Sequence, residues 1–438
     1  MPVDRGRVLA WALWDWGSAA YHAVILTFVF SVYLTDAVGD ASPAASAALG
    51  YAIGAAGLVI ALLAPVIGQR ADASGRRKLS TGVWTVCTVV AMASLFAIRD
   101  DPRYLWPGLA LLALGSVVAE LAQVSYNAML ADVSTRATMG RVSGFGWAMG
   151  YVGGIVLLLV VYYGFVAGSG PTGGFLGVPR EDGLNVRAVA LVAAAWFLVF
   201  ALPLLFGVPE APPAAGRRPA LGIIGSYRAL AADLVALYRE DRHTVYFLGA
   251  SALFRDGLAA IFTVGSVLAV GVYGIGAGDV LLFGVAANVV AAVGALAGGR
   301  VEDRVGPKPV IMVSLAAIIA AAALLLVVSG PAPFWVLALV LVLFVGPAQS
   351  SSRTFLARLA PRGREGELFG LYATTGRAVS FLAPTLFGLF VSLFDAQRAG
   401  IVGVIVVLSA AGGAVAGAST LWDRRRRCIG VTHRKATL

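Results

Sequence analysis

Charge is scarce in this chain: only 13% of its 438 residues are Asp, Glu, Lys or Arg, about half the share of a water-soluble domain. Lysine is nearly missing, at Lys78, Lys308 and Lys435 alone against 30 arginines, and there are three histidines and two cysteines. Cys87 and Cys428 lie too far apart in the expected topology for a disulfide, and no Cys or His spacing suits zinc. A Walker-type phosphate loop is absent, which speaks against ATP hydrolysis within the chain. With no metal cluster and no nucleophile–base pair, the pattern also argues against an enzyme, and neither cofactor nor metal is expected. The first apolar run lacks a small-residue cleavage site and reads as a retained helix.

What fills the chain instead is apolar residues, 59% of the total, with a mean hydropathy of +0.86. Runs of about 20 residues, enough to cross roughly 30 Å of hydrocarbon as helix, fall near 10–34, 47–68, 79–98, 104–128, 142–166 and 187–208. A second set lies near 244–270, 279–299, 309–329, 334–356, 367–393 and 400–421. The expectation is an all-α membrane protein of twelve transmembrane helices in two pseudo-symmetric six-helix halves, residues 1–208 and 244–421. Between them, 209–243 opens with PEAPPAAGRRP, a linker composition. Tyr227, Leu230, Leu234 and Leu237 then recur at helical spacing, which predicts a short amphipathic helix on the membrane surface. Residues 422–438 form a basic tail.

The net charge of +10 follows topology rather than nucleic acid. With the N-terminus inside, 25 of the Lys and Arg residues fall in inner segments and five in outer ones, the bias that retains cations in the cytoplasm. Both termini are therefore expected inside. The excess of Arg over Lys, with abundant Ala and Gly, suggests a GC-rich bacterial source and a plasma-membrane location, and a monomer is expected.

Two repeats support the duplication. Gly68, Asp72 and Gly75 in GQRADASGRRK recur 231 positions later as Gly299, Asp303 and Gly306 in GRVEDRVGPK. Each cassette lies between two spans and ends in cations, Arg76, Arg77 and Lys78 in the first and Lys308 in the second. At an offset of 226, the stretch from Ala122 aligns without gaps with that from Ala348, so that Gln123 meets Gln349, Asn127 meets Arg353, Arg141 meets Glu367 and Tyr151 meets Arg377. Parallel six-helix repeats of this kind build secondary transporters.

The doubled cassette resembles the loop 2–3 signature of the major facilitator superfamily, over essentially all of residues 8–422. WALWDWGSAAYHAVILTFVFSVYL and YNAMLADVSTRATMGRVSGFGWAMGYVGG resemble its vacuolar amino-acid effluxer-like, autophagy-related branch. The resemblance implies alternating-access transport of a small solute, with amino acids first and sugars or hydrophobic drugs as alternatives. A membrane sensor or scaffold is the alternative of another class. Ala73 departs from the cation that often follows the cassette aspartate, and Tyr151 stands where the antiporter motif has proline.

Charge at a tight turn beside glycines suits a conformational latch, since a carboxylate there can accept from helix N-termini and pair with arginines. Asp72 is expected to pair with Arg76, Arg77 or Arg141, and Asp303 with Arg304 or Lys308, with Glu367 expected to repel Asp303. The alternative is that these loops only orient helices during insertion.

Ionisable residues inside spans are costly and mark candidate sites. Arg255 lies about 16 Å into the seventh span and Arg377 about 15 Å into the eleventh, near mid-membrane. With Asp256 and Asn288 they form the expected substrate site, to which Trp14, Trp16 and Tyr21 are added as cavity-lining aromatics. Asp15 is favoured by a helix N-terminus, while Glu120, Gln123, Asn127, Gln349 and Arg353 are read as an inner gate, a proton path or packing. His22 either titrates or packs. A proton gradient is the natural coupling candidate, through Asp256, Glu120, Asp15 or His22, with facilitated diffusion as the alternative. Trp11, Trp106, Trp335 and Trp422 are expected as interfacial anchors, and Gly146, Gly150, Gly153 and Gly154 as a packing stripe.

Overall fold

A computed structural model describes residues 4–168, 170–210, 223–275, 277–361 and 363–417; Trp422 and the basic tail lie outside them. Twelve helical spans are present among the described residues. The first six are Arg5–Asp36, Pro43–Ser74, Arg77–Ala97, Pro102–Val133, Met139–Val166 and Glu181–Gly207. The second six are Arg242–Phe262, Leu282–Val305, Pro307–Leu325, Pro331–Leu359, Glu365–Phe394 and Gln397–Gly417. They are numbered spans 1 to 12 below. A hairpin of two short strands, Thr172–Gly173 paired with Val178–Pro179, lies between spans 5 and 6.

Local chemistry sets the helix ends. Asp4 caps span 1 by accepting from Gly6 N at 2.9 Å, and Ser42 caps span 2, whose first residue is Pro43; a side-chain acceptor and a proline each suit amides without helical partners. Span 2 ends on Gly75 at φ 66°, a left-handed position that glycine adopts without a Cβ penalty.

Two spans are irregular. Span 1 passes through a π-helical stretch, Ala20–Phe28, in which the Thr27 hydroxyl donates to His22 O at 2.7 Å. Span 11 breaks between Val379 and Leu382. Pro384 supplies the reason for the break, because its ring excludes the carbonyl four residues earlier, that of Ser380. The segment after the linker also differs from expectation: the helix beginning at Ile223 runs without interruption to Gly271, so the amphipathic stretch and span 7 are one helix. Tyr227 ties it to span 2 by donating to Leu62 O at 2.5 Å.

The two halves meet chiefly along two helix pairs, span 2 with span 11 and span 5 with span 8. A Cβ on Gly68 would collide with the backbone of Gly366, and one on Gly299 would meet Gly140 O at 2.5 Å. Higher up span 2, the Thr374 hydroxyl donates to Ala61 O at 2.8 Å, and a Cβ on Gly57 would only approach Arg377 Cδ at 3.8 Å. Beyond that, Gly54 and Gly50 meet nothing within 4 Å. The halves are thus pressed together on the side of the cassettes and separated on the other, leaving a cleft between them.

Candidate functional site

Three layers of polar side chains stack from the cassette face into the cleft. In the first, each cassette aspartate caps a helix of the opposite half. Asp72 accepts from Glu367 N at 2.9 Å, at the start of span 11, and Asp303 accepts from Gly140 N at 2.9 Å, at the start of span 5. A carboxylate there meets unsatisfied amides and the positive end of the helix dipole. The cassette glycines explain how it gets there, since Gly68 and Gly299 let backbone reach backbone beside each cap.

The arginine partners differ from expectation. Arg77 does pair with Asp72, at 2.8 Å, and it also reaches Asp132 at 3.4 Å and Glu365 of the second half. Arg141 pairs with Asp303 at 3.3 Å, not with Asp72, and takes the place expected for Arg304 or Lys308. Lys308 donates to Ala416 O at 3.1 Å, while Arg76 and Arg304 are exposed. Glu367 stands beside Asp72 rather than Asp303; its carboxylate turns away to Arg364 at 2.7 Å, which removes the expected repulsion. Gly306, at φ 94°, carries the chain into Pro307.

About 8 Å deeper, by helical rise from Asp132 to Asn127, lies a second layer centred on Arg353. This arginine, 3% exposed, projects from span 10 into the first half. It donates to Asp15 Oδ2 at 3.2 Å, to Asn127 Oδ1 at 3.3 Å, and to Ser143 Oγ and O at 2.9 and 2.7 Å. Tyr126 donates to the same Asp15 oxygen at 2.8 Å, and its ring is sandwiched between Trp11 and Trp14, with centroids 4.7 and 4.2 Å away. Gln123 donates to Asn127 at 3.2 Å. Gly146 completes the layer, because a Cβ there would strike Asp15, Trp11 and Arg353 within 2.9 Å.

Asp15, Gln123, Asn127 and Arg353 are therefore brought together, with Gln349 half-buried on the helix of Arg353. Tyr126 and Ser143 were not legible in the sequence, and Trp11, expected as an interfacial anchor, is fully buried here. Its indole stacks on Tyr126, and the Arg353 guanidinium sits 4.9 Å from its ring. Trp106, by contrast, is exposed as an anchor would be.

The third layer is seven residues further along span 4, about 10 Å by helical rise. Arg377 of span 11 crosses to Glu120 of span 4 at 2.8 Å, with both side chains partly exposed to the cleft. Arg255 lies over the Tyr372 ring at 3.9 Å and donates to Tyr372 O at 2.9 Å. His22 is exposed toward the same cleft, and the charges that bear on it include Glu120, Arg377 and Asp15.

Other residues expected at this site are engaged in contacts of their own. Asp256, 5% exposed, accepts from Ala383 N at 2.7 Å, which makes it the cap of the second segment of span 11. Tyr21 is buried and donates to Leu112 O at 2.6 Å, joining span 1 to span 4. Trp14 is buried and donates to Thr85. Trp16 packs on Trp196 and against Gly153, and Asn288 donates to Gly284 O of its own helix at 2.8 Å.

Twelve spans in two repeated halves, meeting at one face and parted around a charged cleft, define a transporter of the major facilitator superfamily. The proton:xylose symporter XylE has the same fold, with a TM-score of 0.72 at 13% identity over 93% of this chain and 94% of that one. More particularly, the chain belongs to the family described as "Vacuole effluxer Atg22 like", whose profile matches residues 131–416. Among similar proteins are the uncharacterized MFS-type transporter YxiO of Bacillus subtilis, 26% identical over 91% of each chain, and autophagy-related protein 22 of Cryptococcus neoformans, 26% identical over 68% of this chain. The match spans 56% of that fungal protein's length.

Proposed function

We propose that this transporter carries a small zwitterion, an amino acid or close relative, by alternating access, binding it between Glu120 and Arg377. The observation that supports this most is the ion pair itself: one charge of each sign, one from each half, partly exposed in the cleft. A zwitterion's carboxylate would replace Glu120 at the Arg377 guanidinium, and its ammonium would replace Arg377 at Glu120, so neither protein charge is left unpaired. Arg255, held against Tyr372, is a second cation within reach of the carboxylate. Because the site's two charges belong to different halves, a ligand that joins them bears on the equilibrium between the open and closed cleft.

The distribution of cations supports placing the cassette face in the cytoplasm of a bacterial cell, at the plasma membrane. The cleft then opens outward, and the layers around Arg353 and the cassettes close the inner path. His22 and Glu120, together at the floor of the cleft, are the candidates for carrying a coupled proton. Moving one charge through 100 mV supplies about 2.3 kcal/mol. Proton movement is checked by a pH-jump assay in proteoliposomes; uptake without it would leave facilitated diffusion.

The substrate reading is tested by a thermal-shift screen of amino acids, peptides and sugars on purified protein, since a ligand that binds the native state stabilises it. Labelled counterflow of the hits follows. Zwitterions are expected to stabilise the protein. Arg377→Gln and Glu120→Gln are each expected to weaken their binding by about tenfold or more, as loss of a charge-assisted hydrogen bond implies. Stabilisation by sugars alone, or unchanged zwitterion affinity in both variants, would contradict this reading.

A further inference from the structure

On the cassette face, beside the Asp303 cap, lies a cavity of about 890 Å³ that takes walls from both halves. Arg5 and Arg141 enter it from the first half, and Arg300 and Arg304 from the second, with Asp303 as the one carboxylate in its lining. Apart from Thr135 and Thr138, the remaining wall is apolar and includes Leu9, Phe145 and Leu296; Leu9 is 47% exposed. Arg141 leans on Asp303, and Arg300 donates to Leu296 O at 3.1 Å. Arg5 and Arg304 are exposed and have no carboxylate within ion-pair distance among the described residues.

Four cations against one anion, drawn from two bodies that must touch here, repel across the interface unless a counter-charge intervenes. We propose that this cavity binds the headgroup of an anionic phospholipid from the leaflet on the cassette side. The arginines would hold the phosphate, through the planar donor geometry that favours Arg for this group, and Leu9, Phe145 and Leu296 would take the start of the acyl chains. Basic pockets between spanning helices are suited to anionic headgroups, and the volume lies within the range of small-molecule sites. The apolar wall is what favours a lipid over a soluble phosphate, which has nothing to place against it. Because the ligand joins Arg5 and Arg141 to Arg300 and Arg304, it stabilises the arrangement in which the cassette face is closed. The site is separate from the substrate cleft, and its occupancy does not depend on what is transported.

The test is native mass spectrometry of the delipidated full-length protein, titrated with phosphatidylglycerol or with phosphatidylcholine of the same chains, with and without millimolar inorganic phosphate. The expected result is retention of phosphatidylglycerol about tenfold above phosphatidylcholine, unaffected by phosphate. Arg5→Gln with Arg304→Gln should abolish that preference and leave phosphatidylcholine binding unchanged; both side chains are exposed, so the fold is not at stake. Arg5→Lys with Arg304→Lys should restore part of it. Equal retention of the two lipids, or an undiminished preference in the glutamine variant, would overturn the proposal. Displacement of phosphatidylglycerol by phosphate would also overturn it, by assigning the cavity to a soluble anion.

Discussion

Tyr126 joins spans 1, 4 and 10 in the layer between the cassettes and the cleft. Its hydroxyl and the Arg353 guanidinium converge on a single Asp15 oxygen, and its ring is clamped by two tryptophans. Tyr126→Phe keeps the stacking and removes one charge-assisted hydrogen bond. It is expected to lower stability by about 1.5–3 kcal/mol, read from the midpoint of chemical unfolding in detergent. Nothing in the linear sequence marks Tyr126, since its role depends on three helices converging. Asp15, Asn127 and Arg353 were legible because an ionisable or amide side chain inside a span stands out against an apolar background. The partners of Asp72 and Asp303 were only half legible. Spacing identified the carboxylates and glycines, but the register between the halves, which puts Arg141 on Asp303 and the Glu367 amide on Asp72, is a property of packing.

At the scale of elements, the break in span 11 gives one intramembrane carboxylate a structural role. Asp256 sits at a depth that suggests substrate contact, yet it caps the second segment of span 11, created where Pro384 interrupts the helix. The proline was visible in the sequence; that an aspartate from span 7 would meet the freed amide was not. Asp256→Ala is therefore expected to cost about 0.5–2 kcal/mol of stability, the usual effect of losing a cap, with substrate affinity in a binding assay left within about twofold. The helix pairs at the cassette face make a second prediction. Gly68 and Gly299 let backbone approach backbone, so Gly68→Val or Gly299→Val should prevent closure there. Cysteines introduced at Ala137 and Val301, both exposed, are expected to cross-link more slowly in either variant than in the parent carrying only those cysteines.

For the whole molecule, the fold class, twelve spans and internal duplication were all readable from apolar run length and two repeat offsets, because a bilayer leaves few alternatives for satisfying the backbone. The conformational state was not, since one sequence must support both an open and a closed cassette face. On the proposed mechanism, the two caps, the Arg77 cluster, the Arg141–Asp303 pair and the Arg353 layer hold that face shut. At about 1.5–3 kcal/mol for each charge-assisted bond, losing the two aspartates is enough to invert an equilibrium of a few kcal/mol.

The most direct test is a pair of spin-label distances in lipid nanodiscs, one across the cassette face between Leu79 and Val305 and one across the opposite face between Tyr51 and Phe394, all exposed positions. In the otherwise native chain, the first distance should be short and the second long in the main population. In Asp72→Ala with Asp303→Ala the first should lengthen as the second shortens. Distributions that do not change between the two proteins would contradict the claim that the cassette aspartates govern which face of this transporter is open.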